Sequence, residues 1–308
     1  AGTLHAVNAV SFAVRSGETF CLVGESGCGK TITSLALMRL LPKRARLRAD
    51  AIAFEGRNLL ALSEREMAAL RGDRIGMIFQ DPMTSLNPVY TVGEQLEEVY
   101  LRHRKAGRRE ARERAEHLLD RVGIMAPKVR LAQFPHQLSG GLRQRMMIAM
   151  TLMCEPTLII ADEPTTALDV TVQAQVLELL DELRKEFNTA MILVTHDLGV
   201  VAGHTDKIAV MYAGDLVEYA PTTELFANMK MPYTEALLKS IPRLETPTGT
   251  RLPVIEGRLP DPTKDEPGCA FANRCPYVTD KCRADKPPLV DGGNNHFYRC
   301  WFPIGGAK

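Results

Sequence analysis

The sequence predicts an α/β fold built on a largely parallel sheet, followed by an irregular extension rich in Pro and Cys. Three observations carry this expectation. Strand-like runs alternate with helical ones along most of the chain. Residues 158–161 (LIIA) and 190–196 (AMILVTH) are nearly continuous apolar runs, the pattern of strands covered on both faces. A glycine-rich stretch, residues 24–31, stands between a strand pattern and a helix pattern.

Strand patterns at 6–14 and 19–23 flank the turn Arg15-Ser16-Gly17-Glu18. Helical periodicity begins at Lys30 and stops at Leu41, before Pro42. A strand over 51–54 leads into the turn Glu55-Gly56-Arg57-Asn58. Residues 75–80 (IGMIFQ) read as a buried strand, followed by a loop punctuated by Pro and Asn. Residues 92–123 are helical in composition; their highly charged part carries eight basic and four acidic residues, and reads as a solvated helix face in preference to a contact surface. Further helices are expected over 140–153 and 171–187. The second places Val172, Val176, Leu179, Leu180, Leu183 and Phe187 on one face. Residues 207–220 read as a hairpin turning at Ala213-Gly214-Asp215, and after about residue 241 the chain becomes irregular.

At 308 residues the chain has room for two domains, or for one domain and an appendage. With 45% hydrophobic and 24% charged residues it can bury a sizeable core, which excludes disorder and a disulfide-stapled miniature. A formal charge of +1 argues against a partner held by phosphate-backbone electrostatics, so no nucleic acid is expected. The longest apolar run, 146–154, contains Thr151 and falls far short of the roughly 20 residues that span a bilayer. The first ten residues lack the features of a signal peptide. The expectation is a soluble, cytosolic protein whose natural N-terminus has been trimmed. Cys21, Cys28 and Cys154 are scattered, whereas Cys269, Cys275, Cys282 and Cys300 crowd the C-terminal end. In a cytosolic chain such a cluster reads as a metal site before it reads as disulfides.

Gly24-Glu25-Ser26-Gly27-Cys28-Gly29-Lys30-Thr31 fits G-x-x-x-x-G-K-[ST] in full. Glycines let successive N–H groups converge on phosphate oxygens, and the helix N-terminus adds partial positive charge. Lys30 would reach the β- and γ-phosphates, and the Thr31 hydroxyl would ligate Mg²⁺. Cys28 contributes its backbone, and no redox role is assigned to it. The apolar run 158–161 ends in Asp162 and Glu163. Asp162 can hold the magnesium shell and Glu163 can polarise an attacking water. Taken alone, the two acids read better as a capping or solvated pair.

They are not alone. Leu138-Ser139-Gly140-Gly141-Leu142-Arg143-Gln144-Arg145 precedes them, and the combination resembles the ABC ATPase family. Ser139 at a helix start followed by two glycines is itself an anion cradle. The resemblance implies that Ser139, Gly140, Gly141 and Gln144 act on the γ-phosphate of a nucleotide held by a partner subunit. It implies that Gln80 helps ligate Mg²⁺ and senses the membrane partner. Ala167-Leu168-Asp169 matches the loop that links the two sites of a pair, and His196 the switch histidine that contacts the γ-phosphate. The implied architecture is a RecA-like core with a small antiparallel β subdomain and a helical signature subdomain (about 86–154), within residues 1–240. Residues 241–308 form a cysteine-rich extension. Leu142 stands where many members carry Gln or Glu, which removes a polar contact but leaves the anion cradle. The family's adenine-stacking aromatic has no counterpart; His5 sits inside a strand pattern, and the aromatic is expected in the trimmed segment.

The short span between the two motifs excludes an SMC-type protein with its long coiled coil. A single cassette excludes a translation-factor type, and the missing membrane domain an exporter half-unit. Phe79-Gln80-Asp81-Pro82-Met83-Thr84-Ser85-Leu86-Asn87-Pro88, the run from Ala161 to Val170, Pro232-Tyr233-Thr234-Glu235-Ala236-Leu237-Leu238 and the tail pattern around Cys269, Cys275 and Cys282 resemble the dipeptide and oligopeptide importer ATPases. The implied partners are a second ATPase subunit, as a homologous heterodimer in preference to a homodimer, two transmembrane permease subunits and, indirectly, an external solute-binding protein. The implied location is peripheral, on the cytoplasmic face of the bacterial inner membrane. Importers of nickel or other small solutes share much of the pattern. A redox-sensing regulatory ATPase centred on the cysteines is the alternative from another class. The tail spacing C-x5-C-x6-C-x17-C suits zinc or an iron–sulfur cluster; zinc sites usually use tighter pairs. Similar importer tails are associated with a 4Fe–4S cluster, which is therefore expected as a structural staple beside ATP and Mg²⁺.

Overall fold

Buried apolar runs become the longer strands, whereas the two-residue strands are half-buried or exposed. The protein is described by a computed structural model covering residues 4–166, 168–241, 254–264 and 267–305. β1 (Thr19–Val23), buried throughout, leads through the glycine-rich loop into α1 (Lys30–Leu37). β2 (Ala53–Phe54) and β3 (Arg57–Asn58) form a ribbon turning at Glu55 and Gly56. α2 (Glu64–Leu70) starts with a capping box, in which Ser63 and Glu66 each accept the other's N–H. β4 (Ile75–Ile78) and the one-turn α3 (Pro82–Ser85) precede four helices: α4 (Val92–His103), α5 (Arg108–Arg121), α6 (Pro127–Leu131) and α7 (Gly140–Thr151). Then come β5 (Leu158–Asp162), α8 (Val170–Phe187), β6 (Ala190–Thr195) and α9 (Leu198–Val201). The hairpin β7 (Lys207–Tyr212) and β8 (Asp215–Pro221) is followed by α10 (Thr222–Asn228) and α11 (Pro232–Lys239). The extension adds α12 (Asp280–Ala284), β9 (Val290–Asp291) and β10 (Phe297–Tyr298).

The chain divides into two compact units. One holds the described residues up to Ala13, Thr19–Thr33 and those from Val194 on; the other holds Val14–Glu18 and Ser34–Leu193. In the first, β1 runs parallel to β7 with Val23 opposite Val210, and β8, β10 and β9 follow antiparallel. Phe20 stacks on Phe12 at 4.6 Å, and Tyr212, Tyr233 and Phe271 form a second buried aromatic group. In the second unit, β4 runs parallel to β5 with Ile78 opposite Ala161, and β6 lies next to β5. Its helical part buries Ala111, Ala115, Leu118 and Leu119 of α5 and Met146, Met147 and Ile148 of α7. Among the described residues, no helix is long and apolar enough to cross a membrane.

Several expectations are corrected. Residues 6–14 form no strand: Ala9 takes a positive φ of 45°, which breaks the extended run. The segment is held instead by Asn8 N–H donating to the Gly214 carbonyl at 2.7 Å and by the Phe12 ring. The first helix stops at Leu37, because Arg39 enters the left-handed region. The expected helix 92–123 is two helices: α4 ends at His103, and Gly107 caps the start of α5, whose apolar face needs its own partners. Arginines of the charged run are engaged locally, Arg112 with Glu97 at 3.0 Å and Arg114 with Glu155 at 2.9 Å. The extension is not wholly irregular, since β10 pairs with β8 through Phe297 and Tyr219. Residues 242–253, 265–266 and 306–308 of the extension, and Ala167, lie outside the described residues.

Phe271, 1% exposed, brings the extension's largest buried ring against Tyr212 and Tyr233. Phe271→Ala is expected to cost about 3 to 5 kcal/mol, the usual penalty for an emptied aromatic site. Denaturant unfolding of the full chain measures it, and a loss below about 1 kcal/mol would show that the extension does not share this core.

Candidate active site

The loop between β1 and α1 has a backbone that only glycine permits at two points. A Cβ on Gly24 would lie 2.2 Å from the Met211 carbonyl oxygen, and one on Gly29 2.5 Å from that of Ala6. Gly29 is also at φ +108°, and Gly27 at +83°. Lys30 is buried, and its ammonium folds back to donate to the carbonyls of Gly24 at 2.7 Å and Glu25 at 3.1 Å. Ser26 and Gly27 face solvent at the loop's crest, and Thr31 is half-buried on the first turn of α1. The Lys30 ammonium and the N-terminus of α1 put positive charge at this loop, which suits an anion. Cys28 is buried with its Sγ 4.0 Å from the Lys30 amine; burial pushes its thiol up despite that charge, so it stays protonated. Its carbonyl accepts from Gly214 N–H at 2.9 Å, which ties the loop to the β7–β8 turn.

Two residues that sequence reasoning gave no role in the loop also hold it. Tyr233, from α11, accepts the Glu25 N–H at 2.9 Å through its hydroxyl. Burial pushes that phenol far up, so it remains a neutral hydroxyl. Arg274, from the extension, grips both oxygens of Glu25, at 2.6 and 2.9 Å, and also reaches the Tyr212 hydroxyl at 3.3 Å. No local motif could signal these partners, because the pairing spans most of the chain.

In the other unit, the register of β4 against β5 does the positioning. Ile78 lies opposite Ala161, so Gln80 and Glu163, each two residues further on, emerge side by side. The Gln80 amide donates to Glu163 Oε2 at 3.1 Å, and the Thr166 hydroxyl donates to the same oxygen at 2.9 Å. Glu163 has φ +46°, a costly backbone for a residue with a side chain and one that concentrates at functional sites. Asp162, at the strand end, is 2% exposed. The structure thus joins Gln80 to Glu163, which the sequence offered as separate motifs.

Ser139 is the N-cap of α7, accepting Leu142 N–H at 3.4 Å, and it is exposed with Gly140. No atom crowds Gly140, and only Val172 approaches Gly141, at 3.6 Å, so the helix start is open. Gln144 departs from expectation. It is 2% exposed and its amide nitrogen finds no partner among the described residues, so it lies inside α7's packing and away from the open end. Asp169 caps α8 by accepting Val172 N–H at 3.0 Å. His196 follows β6 and is exposed, in the same unit as the glycine-rich loop.

Cys269, Cys275, Cys282 and Cys300 line one pocket together with Phe271 and Trp301, and none is disulfide-bonded. Burial raises the thiols of Cys269 and Cys275, and that of Cys300 to about 11. The expected metal centre is corrected in one respect: among the described residues, no three His, Cys, Asp or Glu side chains converge closely enough to hold a metal ion. The thiols share a pocket wall without meeting at single-ion distance.

Comparison with known proteins agrees with this geometry. Residues 7–166 match the family described as ABC transporter, and residues 217–282 match the family described as oligopeptide/dipeptide transporter, C-terminal region. The chain is 50% identical to a probable peptide ABC transporter ATP-binding protein, y4tR, of Sinorhizobium fredii, over 96% of this chain and 89% of that protein. It is 50% identical to the dipeptide transport ATP-binding protein DppD of Bacillus subtilis, over 97% and 90% respectively. Among solved structures, the ATP-binding cassette MJ0796, dimeric in a post-hydrolysis state bound to ADP and Pi, superposes with a TM-score of 0.60. That match is at 28% identity, over 70% of this chain and 90% of that one. By the family match and by these relatives, the chain belongs to the ABC transporter family of ATP-binding subunits.

Proposed function

We propose that this chain is the ATP-hydrolysing subunit that powers a membrane permease for uptake of di- or oligopeptides. The observation that carries the peptide assignment is the match of residues 217–282 to the C-terminal region of oligopeptide and dipeptide transporters, beside the ABC transporter match over residues 7–166. The names of the 50%-identical relatives support the same reading over nickel import or a redox-sensing regulator.

In this reading residues 1–240 are the ATPase module and residues 241–308 the extension. The N–H groups of Gly24, Ser26, Gly27, Cys28 and Gly29 cradle the phosphates, and Lys30 neutralises them. Thr31, Gln80 and Asp162 would hold Mg²⁺, which when bound spreads the phosphate charge. Glu163 takes a proton from the attacking water; the hydrogen bonds from Gln80 and Thr166 fix the carboxylate's direction. His196 steadies the γ-phosphate. Ser139, Gly140 and Gly141 offer the α7 start to the nucleotide of a second cassette, and Asp169 belongs to the loop joining the two sites. The dimeric state of the MJ0796 cassette supports a pair. A homologous second ATPase is the proposed partner in preference to a second copy, the pair lying on the cytoplasmic face against two transmembrane permease subunits, with a solute-binding protein acting through them. Two bound nucleotides favour the closed pair, and hydrolysis releases it.

The four tail cysteines are proposed to hold a 4Fe–4S cluster. In support, all four are unbridged and share one pocket, and a cubane takes its thiolates further apart than a single ion does. Such a cluster would supply four iron–thiolate bonds as a staple for a tail with few apolar residues. The raised thiols of Cys269, Cys275 and Cys300 would need the irons' charge in order to ionise.

With permease and binding protein in liposomes, ATP turnover should rise when a dipeptide is supplied. Glu163→Gln should lower turnover by about a hundredfold or more while ATP still binds, because an amide cannot accept the proton. Turnover indifferent to permease and peptide would contradict the importer reading, and a variant with near wild-type turnover would remove Glu163 from the mechanism. Purified without oxygen, the protein should be brown with about four irons per chain, and Cys275→Ser should bleach it. Colourless wild-type protein would overturn the cluster.

A further inference from the structure

The phosphate loop carries an acid that its chemistry does not require. Glu25 lies between Gly24 and Ser26, where a carboxylate would repel a polyphosphate. It does not stand alone. The Arg274 guanidinium pairs with it through two parallel hydrogen bonds, Nη1 to Oε2 at 2.6 Å and Nη2 to Oε1 at 2.9 Å. The Arg274 side chain is only 4% exposed, and its remaining donors are committed as well: Nε to the Glu256 carbonyl at 2.9 Å, Nη2 to that of Ile255 at 3.0 Å, and Nη1 to the Tyr212 hydroxyl. Its charge also sits over the Tyr212 ring, 5.8 Å from the centroid. A planar fork held on this many sides is a fixed part of the structure, in contrast to a surface ion pair.

Glu25 is itself the hinge of the loop. Its N–H goes to Tyr233 and its carbonyl accepts from the Lys30 amine at 3.1 Å. Whatever turns its side chain therefore bears on the loop's orientation and on its lysine.

We propose that Arg274 is a positioning residue for the phosphate loop: it neutralises the Glu25 carboxylate and draws it aside, so that the N–H groups and Lys30 face a nucleotide polyphosphate. The cysteine-lined extension thereby contributes to nucleotide affinity, since Arg274 directly precedes Cys275. This rests on the reading of residues 24–31 as the nucleotide cradle, and the test separates the two.

The measurement is the Kd of MgATP for the full chain, by calorimetry. Arg274→Ala should weaken binding by about tenfold, because an uncompensated carboxylate then faces the phosphates. Glu25→Gln is the reference for the pair: the double variant Glu25→Gln/Arg274→Ala should bind within about threefold of it and several-fold more tightly than Arg274→Ala. Arg274→Lys keeps the charge and loses the fork, so it should fall between wild type and Arg274→Ala; it serves as the test if circular dichroism shows that the alanine variant does not fold. A double variant as weak as Arg274→Ala would mean that the arginine only supports the fold, and would overturn the inference. So would an Arg274→Ala or Arg274→Lys chain that binds as wild type while Lys30→Ala loses affinity. If Lys30→Ala also binds as wild type, the reading of the loop itself fails.

Discussion

The arrangement depends on one constraint: the backbone of Gly24 passes under the carbonyl of Met211 with no room for a side chain. The parallel pairing of β1 and β7 creates that crowding. Val23 lies opposite Val210, so the next residue of each strand meets the other where β1 ends. A chain forced to turn there closes on itself, and the Gly24 carbonyl becomes an acceptor for the Lys30 amine. The β7–β8 turn then holds the far side of the loop through Gly214 and Cys28. Sheet register, turn and lysine thus form one structure. The loop's shape is a property of the strands that flank it.

The second unit solves a different problem with the same tool. The general base proposed for Glu163 needs a carboxylate held in one direction, and β4 and β5 in register deliver Gln80 and Glu163 to neighbouring positions. The positive φ at Glu163 costs on the order of 1 kcal/mol or more, and the strand end that over-determines it is also where Asp162 is buried. Strain and burial coincide at the residues to which the chemistry is assigned.

What the sequence made legible follows from distance along the chain. The phosphate loop, the acids after β5, the signature at the start of α7 and the histidine after β6 were readable because each is a local spacing. The split of 92–123 was missed because composition favours helix on both sides of Gly107, and only the packing of two apolar faces separates them. Residues 6–14 alternate like a strand, yet Ala9 turns the backbone out of line. The two short strands of the extension depend on β8, far away in the chain, and Arg274 meets Glu25 across a separation of 249 residues. Gln144 shows the opposite failure: a motif position carried over by resemblance points into the helix packing.

The most direct measurement of the central constraint is MgATP affinity after a single methyl group is added at Gly24 and, separately, at Gly140. Gly24→Ala places a Cβ against the Met211 carbonyl, whereas Gly140→Ala meets no atom within 4 Å. Gly24→Ala should lose nucleotide binding, by roughly a hundredfold or more, while circular dichroism shows the sheet intact. Gly140→Ala should keep the affinity of its own chain's loop. A Gly24→Ala chain that binds MgATP as the wild type does would contradict the account.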